Sequence, residues 1–122
     1  MLKTSEVQKI TGLSLRQLQW WDERGYVCPK KERHRRLYDD RSVRALIVLA
    51  ALKAKGAYQR DALKIIGDDF WWVVARIPSA STGWIVWEHR RDKISYFSTP
   101  AGAAEFAAKA HGPVTIAELK TP

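Results

Sequence analysis

The chain has 122 residues, is 46% hydrophobic and holds six tryptophans, which argues against a disordered protein and allows one ordinary domain or two small ones. Its formal net charge of +8 is unevenly spread: residues 1–66 carry 15 Lys and Arg against 7 Asp and Glu, whereas residues 67–122 carry 6 of each sign. A localised positive excess points to a polyanionic partner for the first half alone. The single cysteine, Cys28, excludes an intrachain disulfide and a cysteine-based zinc cage, and fits a reducing compartment. The opening Met-Leu-Lys-Thr-Ser-Glu has no apolar signal core, and the longest apolar run, Ala45 to Leu52, is far short of the ~20 residues that span a bilayer. A soluble cytoplasmic, nucleoid-associated protein without membrane contact is expected.

Four helices are expected in the first half. Thr4 or Ser5 caps a short one running to Thr11, with Val7 and Ile10 inward, and Gly12 ends it. Ser14 opens the next, and Gln17 three residues on completes a Ser-x-x-Gln capping box. That helix turns Leu18 and Trp21 inward and stops at Gly25. Two helices joined by a short Gly-containing turn are the signature of a helix-turn-helix. The segment Tyr26–Pro29, a basic run from Lys30 to Arg36 and then Leu37-Tyr38 read as a β-hairpin wing with a basic tip. Asp39 and Asp40 cap a longer helix with Val43, Leu46, Leu49 and Leu52 on one stripe. Gly56 closes it, and a shorter helix follows from about Tyr58 to Ile66.

Composition changes at Gly67-Asp68-Asp69, so the expected organisation is a DNA-binding domain over 1–67 and a small module over 70–122. Phe70–Ile77, Trp84–His89 and Ile94–Ser98 are rich in aromatic and β-branched residues and are expected to be strands. Pro78–Gly83 reads as a loop and Arg90–Lys93 as a hairpin turn. Thr99-Pro100 starts a helix over Ala101–Ala110, Gly112-Pro113 breaks it, and Val114–Leu119 is a last strand. The fold class expected is α+β, a winged helix-turn-helix of four helices followed by a βββαβ module.

In order, Thr4–Ser14, Arg16, Leu18, Trp20-Trp21-Asp22-Glu23, Gly25, Pro29 and Arg36-Leu37-Tyr38 resemble landmarks of the MerR family of bacterial transcription regulators. The similarity covers about residues 2–66, with Val43, Leu46 and Gly56 on later helix positions. It implies a winged helix-turn-helix that binds duplex DNA between promoter elements. Gln19 stands where an Arg is common, and Trp20-Trp21 replace a Tyr pair. No long dimerising helix follows Ile66, and the effector cysteines of the metal-sensing members are missing, so metal sensing is not carried over.

On the second helix Leu15, Arg16, Gln17, Gln19 and Trp20 are candidates to face DNA, because Leu18 and Trp21 face inward. Arg16 suits guanine and Gln17 or Gln19 adenine, although Gln17 could equally serve only as a cap partner. Ser14 at the helix start and Arg24 at its end complete this set. Lys30, Lys31, Arg33, His34, Arg35 and Arg36 on the wing would grip phosphate or reach the adjacent minor groove, setting register, and Tyr38 either contacts phosphate or packs structurally. Trp71 and Trp72 on opposite faces of a strand, with Trp84 and Trp87, would leave aromatics uncovered by one helix and so form a homodimer or partner surface. His89 and His111 are expected to be surface polar residues.

No catalytic constellation, metal site or cofactor is expected, and the small-molecule effector is left open. The function expected is a dimeric, sequence-specific transcription regulator and not an enzyme. The alternatives are an excisionase-like architectural protein, binding head to tail on direct repeats, and a protein-interaction adaptor.

Overall fold

A computed structural model describes residues 1–56, 64–78 and 82–120. Among them the chain runs β1 (Leu2–Lys3), α1 (Thr4–Thr11), α2 (Leu15–Glu23), β2 (Lys30–Glu32), β3 (Arg35–Tyr38) and α3 (Asp40–Ala54). It continues with α4 (Asp68–Arg76), β4 (Gly83–Glu88), β5 (Lys93–Phe97), α5 (Pro100–Ala108) and β6 (Val114–Leu119). The expected helix from Tyr58 to Ile66 lies outside the described residues apart from the helical pair Lys64 and Ile65 and non-helical Ile66. No helix among the described residues is long and apolar enough to cross a membrane.

The first half is α+β as expected, with one addition. Leu2 and Lys3 pair antiparallel with Tyr38 and Leu37, so the wing is a three-stranded sheet in the order β1-β3-β2. The α1 cap is accordingly Lys3, not Thr4 or Ser5, and its N–H donates to Glu6 Oε1 at 3.1 Å. α3 starts as expected: Asp39 Oδ1 accepts from the Ser42 N–H at 2.8 Å. It is the central helix, with Val43, Ala45, Leu46, Ile47, Val48, Leu49 and Leu52 all buried.

The second half differs at its first element. Phe70–Ile77 is expected as a strand, but Asp68–Arg76 is a helix, so the module is αββαβ and not βββαβ. Phe70, Val73, Val74 and Ile77 follow i, i+3, i+4, i+7 spacing and are all buried. Asp68 and Asp69 favour the positive N-terminal end of the helix and Arg76 the negative C-terminal end. These helical signals outweigh the β propensity of the Trp-Trp-Val-Val run.

The remaining strands form an antiparallel sheet in the order β5-β4-β6. Thr99 caps α5 by accepting from the Gly102 N–H at 3.1 Å, with Pro100 opening the helix. One sheet face meets α5, where the Phe97 and Phe106 rings lie 5.1 Å apart. The other face carries Ile85, Trp87, Ile94, Ala117 and Leu119 into a single buried cluster with Leu46, Ile47 and Leu49 of α3 and Phe70 and Val74 of α4. Both faces are therefore covered within one chain. Arg44 of α3 adds a polar link by donating from Nη1 to the Ile77 carbonyl at 2.7 Å.

Candidate nucleic-acid interface

The site begins with how α2 is fixed at its two ends. The Ser14 N–H donates to Gln17 Oε1 at 2.9 Å and the Gln17 N–H returns to Ser14 Oγ at 3.1 Å, closing the capping box read from the sequence. These bonds occupy Ser14 and the Gln17 carbonyl, leaving the Gln17 amide hydrogens as its remaining donors. At the other end Gly25 adopts φ +74°, its N–H bonds the Asp22 carbonyl at 2.9 Å, and the Tyr26 N–H bonds the Trp21 carbonyl at 3.0 Å. This double closure is a Schellman motif, and Tyr26 packs edge-on against Trp21 as such motifs favour.

Between those ends Leu18 and Trp21 are buried, while Leu15 and Arg16 are exposed and Gln19 and Trp20 half-buried. Trp20 sits edge-on to Trp21 at 4.9 Å, and the Arg24 guanidinium stands 5.1 Å from the Trp20 ring centroid. Arg24 thus lies over the half-exposed aromatic instead of trailing free.

The wing turns tightly. Glu32 pairs with Arg35, leaving only Arg33 and His34 at the tip, and Arg33 takes a left-handed φ of +56°. Lys30, Lys31, Arg33, His34 and Arg35 are all exposed and Arg36 is half-buried. Two of these cations are fastened to α2: Asp22, whose side chain is 5% exposed, lies 3.2 Å from Lys31 Nζ and 3.8 Å from Arg36 Nε. Lys30, Arg33 and Arg35 have no ion-pair partner among the described residues.

Asp22 does not stand out in the sequence as a site residue. An acid within a basic region is its only signal, and the contact is distant along the chain. Cys28 lies in the same corner, its Sγ donating to the Asp22 carbonyl at 3.7 Å. Burial, then the Asp22 charge, push this thiol up from its ordinary value.

Several expected site residues fall elsewhere. Tyr38, for which two roles are open in the sequence, is 1% exposed and so cannot reach a phosphate; it packs beneath the wing. Its hydroxyl has no hydrogen-bond partner among the described residues, and burial, followed by the Asp22 charge, pushes its ionisation up.

The four tryptophans do not form one outward surface. Trp87 is 6% exposed, within the core, and stacks on His89 at 4.0 Å. His89 is half-buried and hydrogen-bonded to Thr115 at 2.6 Å, not a loose surface residue. Trp71 and Trp84 are half-buried, with the Arg41 guanidinium 4.3 Å from the Trp71 ring centroid. Only Trp72 projects, 58% exposed, with Arg76 one turn on standing 3.4 Å from its ring centroid. Trp71 and Trp72 are neighbours on a helix and so do not lie on opposite faces of a strand. Among the described residues no group of three His, Cys, Asp or Glu is placed to hold a metal ion.

A helix capped at both ends, set after a tight turn and flanked by a basic hairpin, defines a winged helix-turn-helix. In such modules the second helix and the wing are the parts that meet nucleic acid. The chain belongs to the MerR HTH family of regulatory proteins, whose family model matches residues 2–65. DNA binding and transcription regulation come with that membership. No curated protein and no solved structure matches the chain.

Proposed function

We propose that the protein is a sequence-specific regulator that reads duplex DNA with α2 in the major groove and holds the flanking backbone with its wing. The observation that carries this is the exposed pair Leu15 and Arg16, with half-buried Gln19 one turn on, on a helix capped at both ends and beside a basic hairpin fastened to it through Asp22. Arg16 donates bidentately to a guanine, and Gln19 pairs with an adenine, its amide N–H donating to N7 and its Oε1 accepting from the N6 amino group. Arg33 and His34 at the tip, Arg35 at the start of β3 and Lys30 at the base contact phosphate and set register, with Arg24 bordering the same surface.

Two copies act on one site. A single module of this kind buries only about 600–1,000 Å² on DNA, and a symmetric pair doubles the contact. The copies meet through the second half, with Trp72 the outward aromatic in that contact. The protein works in the cytoplasm, on the nucleoid, and has no catalytic role.

Selection of DNA from a random pool by the full-length protein tests this reading. An inverted-repeat motif whose guanine preference disappears in Arg16→Ala is expected. A direct-repeat footprint would instead favour head-to-tail binding of the architectural type, and an equal loss on all sequences would reassign Arg16 to phosphate.

A further inference from the structure

The second half is neutral as a whole, yet its charge is not evenly placed. Three of its six basic residues, Arg90, Arg91 and Lys109, line one cavity of about 320 Å³ between the β4–β5 turn, the end of α5 and the loop entering β6. The only acid on that wall is Glu88, which is paired with Arg91 at 3.6 Å. Lys109 is shared with exposed Glu105, whereas Arg90 has no ion-pair partner among the described residues. The apolar part of the lining is Phe106, Ala110, Pro113 and Val114.

The loop is shaped to hold Arg90 at the rim. Gly112 adopts φ +123°, a conformation that residues with side chains disfavour, and a Cβ there would come within 2.8 Å of Arg90 Cδ and 3.3 Å of Arg90 Nε. The absent side chain lets the Arg90 stem lie across the loop. His111 lines the cavity beside it.

We infer that this cavity binds a small amphipathic anion, a carboxylate carried on an aromatic or branched apolar body. A cavity near the lower limit for ligand sites excludes a large molecule. Its apolar floor disfavours a bare inorganic ion, and its cationic rim disfavours a neutral hydrocarbon. The carboxylate meets Arg90 and Lys109 at the rim while the body rests on Phe106 and Val114. This site lies in the module, beyond the matched residues 2–65, and does not depend on how α2 reads DNA.

The test uses the full-length protein and three probes: 2-naphthoate, 2-naphthalenemethanol as its neutral counterpart, and inorganic phosphate. Binding is followed by backbone amide shifts. Naphthoate is expected to shift the amides of residues 90–91 and 109–114 saturably, and at least about tenfold more tightly than the alcohol, as a charge-assisted contact gives. Arg90→Gln, on an exposed side chain, should weaken naphthoate about tenfold and leave the alcohol unchanged. Lys109→Gln provides a second variant if the first alters the loop, and both are checked by thermal melting.

Equal binding of naphthoate and alcohol would overturn the proposal. So would shifts by phosphate as strong as those by naphthoate, or no saturable shift with naphthoate at these amides.

Discussion

Lys31 and Arg36 stand directly opposite each other across the β2–β3 ladder, and Asp22 of α2 bonds both. Like charges facing across a strand pair repel. The buried carboxylate offsets that repulsion and, in the same contact, sets the angle between wing and helix. Removing the charge in Asp22→Asn is expected to lower stability by about 1–2 kcal/mol in urea unfolding, because the two cations then face each other without a counter-charge. The substitution also removes one cause of the raised Cys28 ionisation, so the thiol should become more acidic. Iodoacetamide should therefore modify Cys28 faster at mildly alkaline pH in the variant than in the parent protein.

Tyr38 makes a contrasting case, since its buried hydroxyl has no partner among the described residues. Tyr38→Phe removes a polar group that burial penalises and should leave stability unchanged or raise it by up to about 1 kcal/mol. DNA affinity should not move. The pH dependence has a definite sign: the phenol ionises more readily in the unfolded chain than when folded, which costs no stability below the ordinary value of 10. Stability falls as pH rises from there toward the raised folded value. The Tyr38→Phe variant should lack that alkaline loss, and thermal melts between about pH 8 and 11 check it.

At the wing tip Arg33 holds a left-handed conformation that costs a non-glycine residue about 1 kcal/mol. Arg33→Gly is expected to raise the melting temperature slightly while weakening DNA binding. The slope of log affinity against log salt should shrink by about 0.9 if one phosphate contact is lost. Stability and affinity moving in opposite directions distinguish a contact residue from a turn residue.

The tryptophans of the second half separate by burial. Trp87→Ala should cost about 3–5 kcal/mol, as emptying a core aromatic site does. Trp72→Ala, on an exposed helix face, should cost no more than about 0.5–1 kcal/mol, mostly the contact with Arg76. Sedimentation of Trp72→Ala then tests whether copies meet there, because its fold stays intact.

What can be read from the chain alone is what is encoded locally. The Ser14–Gln17 box, the Gly25 stop, the Asp39 cap and the Thr99-Pro100 start each involve residues within a few positions of one another, and all appear in the structure. The α4 segment misleads because Trp71-Trp72-Val73-Val74 carries strand propensity over the same span in which Phe70, Val73, Val74 and Ile77 carry a helical stripe. Long-range facts are out of reach. The pairing of Leu2 with Tyr38 covers the tyrosine, and α3 with α4 covers the sheet face that local patterning leaves open. Asp22 belongs to the same class: nothing near it along the chain announces two wing cations as its partners.

The near-complete enclosure of α3 limits how this protein can be recombined. Its buried set includes Ile47 as well as Leu46 and Leu49, and the sheet carrying Ile85, Ala117 and Leu119 belongs to the same cluster. Exchanging the C-terminal module for that of another regulator would strip part of this helix's apolar coat. A functional chimera therefore needs compensating substitutions on α3 itself. The two halves therefore meet along a packed interface and not at a single point in the chain.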